Sequence, residues 1–292
     1  MSTVHHRIPG VLFRSHPRHA EVPLIFDSPH SGTDYPDDFD HVCPRHVLRT
    51  AEDTYVHELY AAAPDRGATL IGALFPRSYI DTNRHVADID QALLAEPWPH
   101  PLNPGVKTKL GMGLIRRLAV PKMPVYGRKL GIAEVQGRIE RYYHAYHAEL
   151  ASAADRLHAR FGGVWHINCH SMKSVSNRMA SEGPGVARAD FVLGDRDGST
   201  CAPELTEFVR QFLARLGYDV RVNDPYKGVE LVRRHGRPKE NRHSLQIEVN
   251  RKLYMDEQSF ERNANFPKLK ADLDALVTAL AGFVRVRARA RG

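Results

Sequence analysis

The sequence predicts an α/β protein, a three-layer α/β/α sandwich built on a mostly parallel mixed sheet. Three observations carry this expectation. Short apolar runs bounded by turn residues recur along the 292 residues, amphipathic stretches with an apolar step of three or four lie between them, and the alternation persists to the end of the chain. Strands joined by crossover helices give this pattern.

Residues 22–26, VPLIF, form the first apolar run, which breaks into the polar loop Asp27-Ser28-Pro29-His30-Ser31-Gly32 and reads as a buried strand. Residues 44–63 read as a helix, with Val47, Leu48, Ala51, Tyr55, Leu59 and Ala62 on one face, Pro44 and Pro64 as its limits, and Glu52 and Asp53 on its polar face. Residues 68–75, ATLIGALF, form a second strand that runs into the charged segment from Arg77 to Arg84. Residues 86–128 hold six prolines and no regular period; the segment is too irregular for a core and reads as an excursion or lid. Residues 132–161 give the clearest helix, from Ile132 through Val135, Ile139, Tyr142, Tyr146, Leu150 and Leu157 to Phe161. A strand over 164–169 follows and breaks at His170-Ser171-Met172-Lys173. The alternation continues with strands over 191–193, 218–222 and 245–249 and helices over 202–216 and 266–283. No linker or repeat divides the chain, so a single domain over 1–292 is expected, with a basic tail at 284–292.

Lys and Arg number 41 against 34 Asp and Glu, but Arg285, Arg287, Arg289 and Arg291 crowd into the last residues. The rest of the chain is close to balance, so only that tail invites a polyanion, and nucleic acid is not the expected partner of the fold. Cys43, Cys169 and Cys201 lack metal-binding or disulfide spacing. No run approaches the roughly 20 apolar residues that span a bilayer. A cytoplasmic protein without a membrane partner is expected.

Three strands end in polar loops, at His30, at His170 and at Glu248, and open α/β sheets bind ligands beyond the carboxyl ends of their strands. Two neutral imidazoles with one carboxylate make a catalytic zinc ligand set, and Glu52 and Asp53 are both placed to supply the acid. The pairs His5-His6 and His144 with His147 are weaker clusters, since no acid accompanies them. No phosphate-binding glycine loop opens a helix, and there is no Gly-x-Ser-x-Gly elbow.

Six blocks in order resemble the N-formylglutamate amidohydrolase family: Ser28-Pro29-His30-Ser31-Gly32, Glu52-Asp53-Thr54, Arg77 through Arg84, Asn168 through Met172, Gly194 through Gly198, and Gly236-Arg237-Pro238 through Arg251 with Tyr254 through Glu257. The resemblance implies a phosphorylase/hydrolase-like fold related to zinc carboxypeptidases. It further implies hydrolysis of an N-acyl amino acid, N-formyl-L-glutamate, to formate and L-glutamate in histidine breakdown. By that similarity His30, Asp53 and His170 hold one divalent metal ion, zinc by ligand type, and Glu248 is the general base. Arg77 and Asn83 become candidates for the oxyanion. Arg84, in an Asn-Arg pair like that of carboxypeptidase-like enzymes, becomes the first carboxylate-binding residue, with Arg233, Arg234, His235 and Arg251 as further candidates. Another N-acyl amino acid as substrate, and a polyanion-binding protein using the arginine tail, are the competing readings.

Overall fold

The computed structural model describes residues 6–180 and 182–289. Ten strands are described: β1 (His6–Ile8), β2 (Leu12–Ser15), β3 (Leu24–Ser28), β4 (Thr69–Ala73), β5 (Leu118–Val120), β6 (Met123–Pro124), β7 (Val164–Met172), β8 (Phe191–Gly194), β9 (Val220–Val222) and β10 (Arg242–Asn250). Eight of them make one sheet in the order β1-β2-β4-β3-β7-β10-β8-β9, and β5 with β6 forms a separate ribbon. The four central strands β4, β3, β7 and β10 run parallel. Antiparallel pairs join β1 to β2, β2 to β4 and β10 to β8. The protein is thus α/β with a mostly parallel mixed sheet.

The helices are α1 (Arg45–Arg49), α2 (Val56–Leu59), α3 (Val106–Lys109), α4 (Ile132–Arg138), α5 (Ala145–Phe161), α6 (Pro203–Arg215), α7 (Glu230–His235) and α8 (Phe266–Arg289). One sheet face packs Ile167, Cys169, Leu245 and Ile247 against Leu205 and Val209 of α6 and Leu273, Leu276 and Leu280 of α8. On the other, Ile25 and Ile71 meet Tyr146, Leu150 and Leu157 of α5. Two apolar cores on opposite faces make the three layers. Among the described residues no helix is long and apolar enough to cross a membrane.

Four elements differ from the sequence expectation. The helix expected over 44–63 is broken: only α1 and α2 are helical, and Tyr55 between them adopts a left-handed backbone, φ 66°. The backbone N–H of Asp53 donates to the His30 carbonyl at 2.9 Å, a bond a continuous helix could not make. β7 does not stop at Cys169 but runs to Met172, so His170 stands on a strand rather than in a loop. Residues 86–128 are irregular, yet Ile89, Leu93, Leu114, Ile115 and Val125 are buried in the second core. Finally, α8 continues past 283 to Arg289, so Arg285 and Arg287 lie on a helix rather than a frayed tail, while Arg291 and His5 fall outside the described residues. The long helix over 132–161 is present as α4, a π-helical stretch Ile139–His144, and α5.

Candidate active site

Neighbouring parallel strands carry the polar centre. On β7, His166, Asn168 and His170 alternate with Ile167 and Cys169; on β10, Ser244, Gln246 and Glu248 alternate with Leu245 and Ile247. The register sets Gln246 opposite Asn168 and Glu248 opposite His170, so these side chains share the face turned away from the apolar core of α6 and α8. β3 lies on the other side of β7 with Asp27 opposite Asn168, and His30 follows two residues after β3 ends. Asp53 comes in from the break between α1 and α2.

One ligand atom each from His30, Asp53 and His170 lie within 4.8 Å of one another, and all three residues are buried. Asp53 Oδ2 is 2.9 Å from His170 Nδ1 and 3.4 Å from His30 Nδ1. Its other oxygen takes the Arg251 guanidinium at 3.1 Å. Between the two acids left open by residue type, the structure brings in Asp53; Glu52 turns instead to the Tyr35 hydroxyl, which donates to it at 2.6 Å.

The outer hydrogen bonds orient both imidazoles. His30 Nε2 lies 2.7 Å from Asp81 Oδ1. Burial alone would raise the pKa of Asp81, but Arg77, His30 and Arg84 hold it well below the usual carboxylate range, so it can only accept and the proton sits on His30 Nε2. For His170, Asn168 Nδ2 donates to Asp27 at 2.8 Å, which turns Asn168 Oδ1 toward His170 Nε2, also at 2.8 Å. Asn83, whose Oδ1 accepts from the Leu231 N–H, turns its Nδ2 to the same His170 nitrogen at 3.1 Å, so His170 Nε2 is held between an acceptor and a donor. Asp27 is itself fixed by His166 at 2.7 Å and by the Tyr146 hydroxyl at 3.0 Å. Both Nδ1 atoms face the Asp53 carboxylate, and His30 Nδ1 is buried with no hydrogen-bond partner. Although burial opposes it, the neighbouring His170 and His30 hold Asp53 well below its ordinary pKa. Two imidazole nitrogens and a carboxylate oxygen converging in this way could hold a metal ion between them, and outer partners that orient the imidazoles are typical of metal ligands.

A cavity of about 380 Å³ opens beside this cluster, lined by His30, His170 and Glu248 and by the cations Arg77, Arg84, Lys107 and Arg116. Its size lies in the small-molecule range of roughly 300–1,000 Å³. Gln246 Nε2 donates to Glu248 Oε1 at 2.9 Å. Burial pushes the Glu248 carboxyl up, His170 draws it down and Asp53 raises it again, with the net direction upward.

Of the residues expected from sequence to bind substrate, Arg77, Asn83 and Arg84 line the cavity. Arg77 donates to Asp81 Oδ2 at 2.7 Å, and Asn83 Nδ2 lies 3.1 Å from His170 Nε2. The structure does not bring Arg233, His235 or Arg251 there. Arg233 is half exposed and pairs with Glu230. His235 is half-buried with its ring 5.6 Å from His166. Arg251 is committed to the carbonyls of Thr50 and Glu52, to Ser171 Oγ and to Asp53, so it positions Asp53 and has no fork to offer a ligand. His147, in the weaker histidine pair, is spent on the Thr82 carbonyl at 2.9 Å. Asp81, Asn168, Gln246 and Arg116 were not singled out by the sequence. The period-two polar alternation of β7 and β10 was the available signal for Asn168 and Gln246; Arg116, in the irregular segment, had none.

Residues 22–255 match the family model described as N-formylglutamate amidohydrolase. The chain belongs to that family. Among relatives of this amidohydrolase family, the N-formylglutamate deformylase of Pseudomonas putida is 29% identical over 243 residues, covering 81% of this chain and 83% of its own. That of Pseudomonas aeruginosa is 28% identical over 247 residues, covering 83% and 85%. The crystal structure of N-formylglutamate amidohydrolase from Ralstonia eutropha JMP134 superposes with a TM-score of 0.91 at 49% identity, over 94% of this chain and 99% of that one.

Proposed function

We propose that this protein hydrolyses N-formyl-L-glutamate to formate and L-glutamate in a metal-dependent reaction with Glu248 as general base. The observation that carries the reading is the convergence of two imidazole nitrogens and one carboxylate beside Glu248, at the wall of a cation-lined cavity. Family membership supplies the substrate. The donor set fits a divalent ion, and two imidazoles with one carboxylate suit zinc. When bound by His30, Asp53 and His170, zinc would supply Lewis acidity and lower the pKa of a water from about 15.7 to near 7.

The chain's own groups supply the rest. Asp81 keeps His30 in the tautomer that presents Nδ1, and Asn168 and Asn83 hold the His170 ring with Nδ1 toward Asp53. Glu248, buried and held by Gln246, accepts the proton of the water that attacks the formyl carbon and returns it to the departing amine nitrogen. Arg77, fixed by Asp81, stabilises the oxyanion, and Arg84, on the cavity wall, holds the substrate's α-carboxylate. A formyl amide of glutamate as substrate fits the last step of a route of histidine breakdown in the cytoplasm.

The test is zinc content of the purified protein together with formate release from N-formyl-L-glutamate before and after chelation. One zinc per chain with chelator-sensitive release is the expected result. Metal-free protein that releases formate at full rate would overturn the metal-dependent reading, and bound zinc with no formate release would overturn the substrate.

A further inference from the structure

Arg116 is a buried cation without a counterion. It is 8% exposed, its Nε is buried with no hydrogen-bond partner, and among the described residues it forms no ion pair. Its charged surroundings are Arg77 and Arg84, of its own sign, and two acids that are already committed: Asp81 takes Arg77 and His30, and Asp53 takes Arg251 and His170. Burial first, and then Arg77, push the Arg116 pKa down to about 9, which still leaves the guanidinium charged at neutral pH. Lys107, on the same cavity wall, donates to the Met179 carbonyl and among the described residues forms no ion pair. Leaving a charge buried and unpaired is among the more costly things a fold can do, and it persists where a ligand supplies the missing partner.

The two cations also sit where the cavity divides. Arg116 and Lys107, like Arg77, line both the cavity beside His170 and an adjoining one of about 140 Å³, but Arg77 is already tied to Asp81. Arg84 lines only the first, and it directly follows Asn83, whose side chain reaches His170. An acidic N-acyl amino acid carries one carboxylate on the carbon next to the scissile nitrogen and a second further out on its side chain. We infer that Arg116, with Lys107 beside it, takes the side-chain carboxylate of the substrate and so determines specificity for an acidic residue, while Arg84 takes the nearer carboxylate. A planar guanidinium can hold a carboxylate through two parallel hydrogen bonds, which the amide of a neutral homologue cannot match. This deepens the hydrolase reading and rests on it.

The experiment compares Arg116→Met and Arg116→Lys with wild type on N-formyl-L-glutamate and on its side-chain amide, N-formyl-L-glutamine. Wild type is expected to prefer the glutamate substrate, and Arg116→Met to lose about 10²- to 10³-fold in kcat/KM on it, the usual consequence of leaving a buried charge unpaired. The same variant changes by less than about threefold on the glutamine substrate, and Arg116→Lys retains part of the preference. An equal loss on both substrates, or undiminished preference in Arg116→Met, overturns the inference.

Thermal unfolding adds a readout that needs no turnover. L-Glutamate is expected to raise the Tm of wild type but not of Arg116→Met, and Arg116→Met without ligand unfolds at or above the wild-type temperature because an uncompensated charge has gone. A lowered Tm would make Arg116 structural and overturn the inference. Wild type inactive on both formyl substrates but stabilised by L-glutamate through Arg116 would instead remove the hydrolase reading and keep the carboxylate site.

Discussion

Asp81→Asn isolates the part of the candidate metal centre that is not itself a ligand. Asp81 Oδ1 lies 2.7 Å from His30 Nε2 and accepts from the Asn83 backbone N–H at 2.9 Å, while Oδ2 accepts from Arg77 Nη2 at 2.7 Å and Nε at 3.2 Å. Every one of these contacts requires an acceptor. An asparagine has the same shape but turns one of the two positions into a donor. With its amide toward Arg77, two donors face each other in a buried site. With its amide toward His30, the imidazole must present a bare Nε2 and move its proton to Nδ1, the atom that faces Asp53. Loss of such an outer partner costs about 10- to 100-fold in metal affinity, or roughly 1.4–2.7 kcal/mol. Asp81→Asn is therefore expected to bind zinc about 10- to 100-fold more weakly in competition with a chromophoric chelator, and to regain part of its formate release when zinc is supplied in excess. Zinc affinity within about threefold of wild type would refute the tautomer argument, since the argument allows neither orientation of the asparagine to be neutral.

Further expectations concern the base, the carboxylate clamp and stability. Glu248→Gln should keep its zinc and lose at least about 10²-fold in kcat, and a loss below about tenfold would be too small for a general base. Arg84→Ala should raise KM for N-formyl-L-glutamate far more than it lowers kcat; steady-state kinetics with an unchanged KM would exclude Arg84 from substrate binding. His147 is buried with Nε2 on the Thr82 carbonyl, and burial, followed by Arg234, pushes its pKa down to about 3. The unfolded chain, with an ordinary histidine near 6.5, takes up a proton that the folded state refuses, so stability is unaffected above about pH 6.5 and falls by up to about 1.4 kcal/mol per unit toward pH 3. That amounts to about 2 kcal/mol by pH 5. His147→Gln should flatten the pH dependence of the urea-unfolding free energy over this window, and an unaltered slope would refute the assignment.

The layer order and most strands were legible because apolar runs and helical periods are local properties of the chain. The centre was legible only in part. His30, His170 and Glu248 could be placed together from the rule that parallel strands present their carboxyl ends to ligands, but His170 stands within β7, opposite Glu248 in the register, and not in a loop beyond it. A strand that alternates His166, Asn168 and His170 with Ile167 and Cys169 looks like a run that ends at its last apolar residue, because the polar face is satisfied by partners 78 to 141 residues away. Arg251 shows the converse error. An arginine next to a motif residue suggests a substrate clamp, whereas all three of its nitrogens are taken up by protein acceptors, something no spacing in the sequence records.

The broken helix over 44–63 shows the same conflict from the backbone's side. Its apolar residues step as a helix should, and Leu48, Val56 and Leu59 do face cores. A continuous helix would commit the Asp53 N–H to the carbonyl four residues earlier. Instead that N–H reaches the His30 carbonyl, Arg251 bridges the carbonyls of Thr50 and Glu52, and Tyr55 accepts a left-handed φ of 66° that a tyrosine rarely adopts. The local cost is met by fixing Asp53 between two histidines, one in the loop after β3 and one on β7. Periodicity describes the solvent-to-core direction of a segment, and so it finds which residues are inside; it carries no term for a carboxylate that must turn toward imidazoles 23 and 117 positions away.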